Sequence, residues 1–224
     1  ASAWGIVRDM NKCIGCGRCV DVCNQVQSVG SIFFQGRGSE TIVAPARQFE
    51  MGTSPCVNCG QCVVYCPVGA LHEREEIDGV WAAVDDPDTT VVAQIAPAVR
   101  VSLGEEFGME PGTLMIGQIY AALRAIGVDV VFDTNFSADL TIMEEGTEFL
   151  ERLEAGGPFP LITSCSPGWI KFGETFYPDL LDNVSSCKSP QQMLGALIKS
   201  YYADSAGIDP ERIASLSVMP CTAK

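Results

Sequence analysis

The sequence predicts a small α+β domain in residues 1–78 and, in residues 79–224, part of an α/β domain with a mainly parallel sheet flanked by helices. Two observations predict this organisation. A run of four cysteines with the spacing C-x2-C-x2-C-x3-C occurs twice within residues 1–78. From about residue 85, short β-branched apolar runs alternate with longer helical patterns, which is the order that builds a parallel sheet.

The two cysteine runs predict two [4Fe–4S] clusters. Four thiols within eleven residues are atypical of zinc sites, which usually use two well-separated C-x2-C pairs, and of a disulfide framework. In two-cluster domains with this spacing, the fourth cysteine of each run binds the other cluster. The predicted ligand sets are therefore Cys13, Cys16, Cys19 and Cys66 for the first cluster, and Cys56, Cys59, Cys62 and Cys23 for the second.

Strands and helices alternate through the second domain. Residues 89–95 (TTVVAQI) and 128–132 (VDVVF) are β-branched apolar runs of strand length. Residues 161–163 are predicted to form a short strand, and residues 214–219 a final one. Gly127 and the pair Gly156-Gly157 are stop signals for the helices that precede them. The predicted helices cover residues 99–107, 113–126, 138–155 and 189–206.

Two later cysteines follow strand ends. Cys165 and Cys221 each lie about two residues beyond a predicted strand, and sites in open α/β sheets lie beyond the carboxyl ends of the strands. We therefore expect both cysteines to lie at one site, although they are far apart in sequence.

Composition excludes some classes of function. The formal net charge of −14 argues against a nucleic-acid partner, because phosphate binding needs basic patches. No apolar run approaches the roughly 18 residues of a membrane span. The amino terminus lacks the pattern of a signal peptide, so a cytoplasmic location is expected, with export through a partner's signal as the alternative. The first residue is not methionine, which indicates a processed chain or a piece of a longer one.

Two motifs carry a family resemblance. Residues 163–169 (TSCSPGW) resemble the T-S-C-C-P-x-W motif of [FeFe]-hydrogenases, and residues 219–224 (MPCTAK) resemble their M-P-C-x-x-K motif. Residues 96–97, 132–136 and 189–192 are also similar to this family. The resemblance implies a ferredoxin-like two-cluster domain followed by the first part of an H-cluster domain. It implies reversible oxidation of H2 to protons and electrons with a low-potential electron carrier such as ferredoxin.

The resemblance also implies an H-cluster, which is a [4Fe–4S] cubane joined through a cysteine sulfur to a two-iron unit bearing CO and cyanide. Cys221 and Ser166 occupy positions of cubane ligands in the family, and Ser166 stands where the family has cysteine. Serine oxygen is a harder ligand with a higher pKa than a thiolate, so cluster binding is expected to weaken. Cys187 is either a substitute ligand or a packing residue near Ser185. The family motif E-x-M-x-C-x-x-x-C is missing here, so the H-cluster is expected to be incomplete or absent without a chain or segment that carries this motif.

The remaining site residues are implied by the resemblance. The proton relay of the family maps onto Cys165, Glu145, Ser185, Glu148 and Arg152. Lys224 matches the lysine that donates to a cyanide of the two-iron unit. The residues that match the surrounding pocket are Ala96, Pro97, Gln191 and Met219.

Helical periodicity bears on the relay independently. Ile142, Gly146, Phe149 and Leu153 form an apolar stripe on the predicted helix 138–155, which predicts its buried face. At the helical rotation of 100° per residue, Glu145 lies at the border of this stripe. A carboxylate beside the core is expected to have a raised pKa, because desolvation disfavours its charged form. From the residues alone, a solvated Glu/Arg face is the alternative.

Another function remains open at this point. A non-catalytic iron–sulfur electron-transfer subunit, or an H2 sensor on the same scaffold, would account for Ser166. The retained relay residues favour the enzyme. A plain two-cluster ferredoxin fused to an α/β domain would not account for the two motifs that follow.

Overall fold

The computed structural model describes residues 4–224, which divide into two compact units. The cysteine unit contains the chain up to Glu75, together with residues 166–181 and 221–224. The sheet unit contains residues 76–165 and 182–220. Two late segments of the chain thus belong to the unit that holds both cysteine runs. The domain boundary after residue 78 stays a prediction.

The regular elements of the described chain are short in the cysteine unit and longer in the sheet unit. The strands are β1 (Ile6–Arg8), β2 (Phe33–Gln35), β3 (Ile42–Ala44), β4 (Leu71–Glu73), β5 (Thr90–Ile95), β6 (Val130–Asp133) and β7 (Ile213–Val218). The helices are α1 (Arg18–Asp21), α2 (Gln61–Val64), α3 (Ile77–Asp85), α4 (Val99–Ser102), α5 (Ile116–Ala125), α6 (Thr134–Ala155), α7 (Pro167–Phe176), α8 (Pro190–Leu197) and α9 (Ala203–Ala206).

The cysteine unit is built from two antiparallel strand pairs, β1 with β4 and β2 with β3. Helices α1 and α2 occupy equivalent places, because each begins one residue after a glycine in the left-handed region, Gly17 with φ +79° and Gly60 with φ +75°. A side chain would be strained at that backbone conformation. The third cysteine of each run lies inside the helix that follows, so the two runs have the same local fold over their first three cysteines.

The two late segments of the cysteine unit contact the second cysteine run. The Thr222 hydroxyl donates a hydrogen bond of 2.6 Å to the Asn58 carbonyl oxygen. A Cβ atom added to Gly60 would lie 2.8 Å from the Thr222 hydroxyl oxygen, and one added to Gly168 would lie 3.2 Å from the Val57 carbonyl oxygen. These close approaches place Cys221 and the start of α7 beside the loop of residues 57–60.

The sheet unit has three parallel strands in the order β6-β5-β7. The central strand β5 is buried on both faces, as its continuous apolar run predicts. Val91, Ala93 and Ile95 pack against the apolar side of α5, while Val92 packs with Leu194 on the opposite face. Helices therefore cover both faces of the sheet, which confirms the predicted α/β class.

Most predicted elements of the second domain are confirmed, with shifts of a few residues at their ends. Helix 99–107 is α only to Ser102 and continues as a 3-10 turn to Phe107, and helix 189–206 is interrupted by a π turn at Ile198–Tyr202. The predicted strand at residues 161–163 is wrong, because only an isolated parallel bridge joins Ile162 to Val184. Pro158 and Pro160 precede it, and proline cannot donate to a strand ladder. The pattern did not predict α3 and α7.

Helix α6 has its polar side inward, so the predicted buried stripe is wrong. Ile142 is 69% exposed, Phe149 43% and Leu153 57%. The buried and half-buried positions are instead mostly polar, and they are Thr134, Ser137, Ala138, Leu140, Thr141, Glu145, Glu148 and Arg152. The inward hydroxyls are satisfied within the helix, since Ser137 donates to the Thr134 carbonyl and Thr141 to the Ser137 carbonyl.

Candidate functional site

Two cavities in the cysteine unit are each lined by four of the cysteines. The residues that line the first cavity include Cys13, Cys16, Cys19 and Cys66. Those that line the second include Cys23, Cys56, Cys59 and Cys62. The fourth cysteine of each run therefore lines the cavity of the other run. These are the two groupings that the spacing predicts. That these cysteines bind the iron atoms of two clusters stays a prediction.

The shape of these sites suits a cluster better than a single ion. Among residues 4–224, no group of three or more His, Cys, Asp or Glu side chains converges tightly enough to hold one metal ion. The four cysteines of each set line a shared cavity instead, which suits four ligands to four separate iron atoms. The second cysteine of each run, Cys16 and Cys59, is exposed, and the third, Cys19 and Cys62, is buried.

Burial controls the protonation of the thiols. It raises the pKa of Cys19 to about 11 and that of Cys62 to about 12. Burial also acts on Cys66, but backbone N–H groups of the segment that follows it, Val68 first among them, outweigh it and lower the pKa of Cys66. Iron binds thiolates, so loading of the metal-free chain must release protons from the buried cysteines.

Ser166 has a structural role that the sequence reasoning missed. It is the N-cap of α7, where its side-chain oxygen accepts a hydrogen bond of 3.4 Å from the backbone N–H of Trp169. Pro167 follows at the first helical position, where proline is favoured. Serine is a preferred capping residue and a cap contributes about 1 kcal/mol, so helix α7 by itself accounts for a serine at this position. The signal was present in the sequence as Ser-Pro before an apolar stretch.

The cysteine unit also contains Cys221 and Lys224. Cys221 is half-buried and Lys224 is exposed. The backbone N–H of Lys224 donates to the Cys221 carbonyl at 3.3 Å, which closes a turn over the last residues of the sequence. The hydrogen bond from Thr222 to Asn58 holds this turn on the loop that contains Cys59.

Three of the five predicted relay residues meet in the sheet unit. Glu148 accepts hydrogen bonds from the Ser185 hydroxyl at 2.9 Å and from Arg152 Nη2 at 2.6 Å. The side chains of Glu148 and Arg152 are only 16% and 12% exposed, and Ser185 is buried. The alternative of a solvated Glu/Arg face is therefore wrong for this pair.

Arg152 also fixes the loop that carries Ser185. Its guanidinium donates to the carbonyl oxygens of Asp182 at 3.1 Å and Val184 at 3.0 Å. The backbone N–H of Ser186 donates to Glu148 at 3.2 Å, a contact that sequence reasoning missed because backbone donors leave no mark in the sequence. One carboxylate and one guanidinium thus join helix α6 to residues 182–186.

The pKa of Glu148 is lowered, whereas a carboxylate beside the core is expected to have a raised pKa. Burial favours the neutral form, but hydrogen bonds from Ser185 and Arg152 outweigh it and lower the pKa of Glu148 below its ordinary value. A charged partner and several donors stabilise the carboxylate more than partial desolvation destabilises it. Glu148 is therefore ionised at neutral pH when nothing else perturbs it.

Glu145 and Cys165 are not joined to this group by hydrogen bonds among residues 4–224. Glu145 is half-buried and lies one turn before Glu148 on the same face of α6. Cys165 is exposed, and the neighbouring Ser164 hydroxyl donates to the Cys187 carbonyl. Cys187 lies next to Ser185, since its backbone N–H donates to the Ser185 hydroxyl at 3.1 Å, and burial raises the pKa of its half-buried thiol.

The predicted pocket residues of the sheet unit lie at the carboxyl ends of its strands. The backbone N–H of Ala96 donates to the Val218 carbonyl at 3.0 Å, which places Ala96 beside the end of β7. Gln191 donates to the Ser217 hydroxyl at 3.0 Å, and its carbonyl accepts from the Gln94 side chain at 3.1 Å. Pro97 and Met219 directly follow Ala96 and Val218 in the chain. Parallel strand order brings these four positions to one edge, as open α/β sheets do.

Two family profiles match this chain. Residues 89–224 match the family described as iron only hydrogenase large subunit, C-terminal domain. Residues 12–70 match the 4Fe-4S dicluster domain, and this range contains both cysteine runs. The chain therefore carries a two-cluster domain and the beginning of a hydrogenase H-cluster domain in this order.

Individual proteins agree with the profiles. The chain is 52% identical over 225 residues to the NADP-reducing hydrogenase subunit HndD of Solidesulfovibrio fructosivorans, an alignment that covers 98% of this chain and 38% of that protein. It is 45% identical over 216 residues to iron hydrogenase 1 of Clostridium pasteurianum, covering 96% of this chain and 38% of that one. The chain thus spans less than two fifths of the length of these relatives.

Solved structures agree in fold. The apo [FeFe]-hydrogenase HydA1 from Chlamydomonas reinhardtii, variant C377H, superimposes with a TM-score of 0.62 at 48% sequence identity, covering 66% of this chain and 38% of that one. The matched profile exceeds half of the present chain, and the two motifs lie within it. The chain belongs to the iron-only hydrogenase large-subunit family.

Proposed function

We propose that this chain is the N-terminal portion of an [FeFe]-hydrogenase that catalyses the reversible oxidation of H2 to protons and electrons, with an active site completed by residues of another polypeptide segment. The observation that carries the proposal is the hydrogen-bonded group of Ser185, Glu148 and Arg152 in a chain of this family. A subunit that only transfers electrons has no need of a mostly buried serine–carboxylate pair that can exchange a proton.

The described residues suit the two requirements of the reaction, which are the handling of electrons at metal centres and the transfer of protons. The two sets of four cysteines would hold two [4Fe–4S] clusters, and Cys221, with Ser166 or a replacement for it, would hold the cubane of the H-cluster. When bound, these groups supply the electron storage and the metal chemistry of H2. Lys224, Ala96, Pro97, Gln191 and Met219 would form the surroundings of the two-iron unit.

Protons would move through the sheet unit. Cys165 is exposed and can exchange a proton from Sγ with the reacting centre, and Glu145 is the next group of the proposed path. The Ser185 hydroxyl can donate its proton to Glu148 and accept another, because a hydroxyl is both donor and acceptor. Arg152 keeps Glu148 ionised, so Glu148 is ready to accept a proton from Ser185.

The exposed face of α6 supports the need for a further segment. Phe136, Ile142, Met143, Leu150 and Leu153 are each more than half exposed on this helix. They form a strip on the side opposite Ser137 and Thr141 at 100° per residue. Contiguous apolar surface of this kind marks an interface. Since the relatives are more than twice as long as the matched part, we assign this face to the polypeptide that corresponds to their remaining length.

Charged substitutions on this face are expected to prevent completion of the enzyme. We expect Met143→Glu combined with Leu150→Glu to weaken association with a coexpressed carboxyl-terminal portion of HndD at least tenfold, because two charges would lose their hydration in the interface. The isolated chain should unfold within a few degrees of the unsubstituted chain, since both positions face solvent. Tyr201→Glu, at another exposed position of the sheet unit, is the control. Equal association of all three chains would contradict the assignment.

Infrared spectroscopy tests the proposed function itself. The chain is combined with the carboxyl-terminal portion of HndD and with the maturation system, and stretching bands of CO and cyanide are recorded. Their presence, together with H2 turnover that the isolated chain lacks, is the expected result. Absence of the bands after maturation that succeeds for intact HndD would overturn the hydrogenase proposal, and turnover by the isolated chain would overturn the need for a further segment.

The alternative function is a non-catalytic iron–sulfur subunit or H2 sensor. Ser166 no longer favours it, since α7 accounts for this serine as a helix cap. Ferredoxin is the proposed electron carrier, and a cytoplasmic location stays a prediction. Among residues 4–224, no helix has both the length and the apolar character to cross a membrane.

A further inference from the structure

The two cysteine-lined cavities differ in charge. Arg8, at the end of β1, is the single charged residue that lines the first cavity, beside Cys13 and Cys66. The lining of the second cavity contains polar and apolar residues but no charged one. Lys171 acts electrostatically on Cys56 as the weakest of the influences on its pKa, and it does not line the second cavity.

The guanidinium of Arg8 has an unsatisfied donor. Its Nη1 donates to the Val43 carbonyl oxygen, which anchors the side chain against β3. Its Nε is buried and has no hydrogen-bond partner among the described residues. A buried N–H without an acceptor is costly and calls for an explanation, such as a group that the chain binds.

Within residues 4–224, no carboxylate lies within ion-pair distance of Arg8. The adjacent Asp9 instead pairs with Lys12 at 3.8 Å and caps the following turn through Asn11. Burial lowers the pKa of Arg8, and the nearby Cys13 thiolate opposes this shift. The guanidinium nevertheless remains charged at neutral pH, because the ordinary pKa of arginine exceeds 12. An uncompensated positive charge thus lies in the wall of the first cavity.

We propose that Arg8 is a redox-tuning residue, which donates from Nε to the cluster held by Cys13, Cys16, Cys19 and Cys66 and raises the reduction potential of that cluster above that of the second. One-electron reduction makes a cluster more negative by one charge, and a neighbouring cation stabilises the more negative state. Hydrogen bonds to cluster sulfurs act in the same direction. The inference rests on the two-cluster domain and not on H2 turnover.

The test is a redox titration of the reconstituted chain monitored by electron paramagnetic resonance. Arg8→Gln should lower the midpoint potential of one cluster, so that its ratio of reduced to oxidised form at a fixed potential falls about tenfold, which corresponds to about 59 mV. The other midpoint should stay unchanged. Arg8→Lys keeps the charge and should change the ratio by less than about threefold, which is roughly half of that shift on the same scale.

Matched variants separate tuning from structural damage. Arg18→Gln removes an exposed arginine of α1 that lines neither cavity, and it should leave both midpoints unchanged. The proposal is overturned if Arg8→Gln leaves both potentials in place, if both shift equally, or if Arg18→Gln has the same effect. If Arg8→Gln loses a cluster, the titration of Arg8→Lys decides whether the proposal stands. A tenfold fall in the ratio of reduced to oxidised cluster in Arg8→Lys overturns it. None of these readouts needs H2 activity, so they remain informative if the infrared bands are absent.

Discussion

Replacement of Glu148 by glutamine is expected to lower H2 turnover of the completed enzyme by a factor of about 10² to 10⁴, which is the usual contribution of a positioned proton-transfer group. Glutamine keeps the size of the side chain and can still accept from Ser185. It cannot take up the proton that Ser185 now donates to a carboxylate. Steady-state H2 oxidation and evolution, measured with an artificial electron carrier, check this expectation. The reduction of the clusters by dithionite should be unchanged.

The same substitution is expected to reduce the free energy of unfolding of the chain by about 1–3 kcal/mol, because it leaves the mostly buried charge of Arg152 without its partner. The lowered pKa of Glu148 gives the pH dependence. A carboxyl whose folded pKa lies below its unfolded value stabilises the fold above the unfolded pKa of about 4.3, and this contribution is lost as the pH falls through the folded pKa. The difference in free energy of unfolding between the unsubstituted chain and Glu148→Gln should therefore have its full value at neutral pH and disappear in acid.

Glu151→Gln serves as the control, since Glu151 is an exposed carboxylate on the same helix. The turnover and the stability of Glu151→Gln should equal those of the unsubstituted chain within experimental error. Full turnover of Glu148→Gln, or an equal loss in Glu151→Gln, would remove Glu148 from the proton path.

Replacement of Cys62 by serine is expected to eliminate the second cluster and to destabilise the cysteine unit by more than about 4 kcal/mol, as loss of a bound metal centre does. Cys62 is buried in the core of this unit and lines the second cavity. Serine oxygen is a harder ligand for iron than thiolate, and a buried hydroxyl is even harder to ionise than this thiol. Iron analysis should give about half of the iron of the unsubstituted two-cluster chain.

Cys187→Ser is the matched control for this experiment. Cys187 is half-buried, belongs to the sheet unit and does not line either cavity. Iron content and visible absorption should not change on its substitution. Full iron content in Cys62→Ser, or a similar loss in Cys187→Ser, would contradict the assigned ligand sets.

The cysteine sets illustrate how local sequence can predict a site. The exchanged fourth cysteines follow from the spacing of the runs, and the cavities are lined by the same two groups. Short loops restrict where four closely spaced thiols can point. Arg8 has no such signal, because its relation to Cys66 depends on the antiparallel pairing of β1 with β4 rather than on a motif.

Helix α6 illustrates the opposite case. Its carboxyl-terminal end was predicted at residue 155, before Gly156, but its start was predicted at residue 138 and lies at Thr134, after the N-cap Asp133. Its orientation was not predicted, because an apolar stripe indicates only that a face is covered and does not indicate by which part of the protein. Here the polar side packs inward, where the Thr141 hydroxyl donates to the Met193 sulfur of α8, and the apolar side faces solvent.

The sequence by itself determined the family, the α/β class and both cysteine groupings, and it supplied the residue types of the proposed proton path, because these depend on spacing, on periodicity and on two short motifs. The tertiary structure decided which groups meet. It joined Glu148 to Ser185 and Arg152, made Ser166 a helix cap and left Arg8 with an unpaired donor beside four cysteines. The physical reason is that hydrogen bonds, burial and charge are set by neighbours in space, and neighbours far apart in the chain leave no pattern in it.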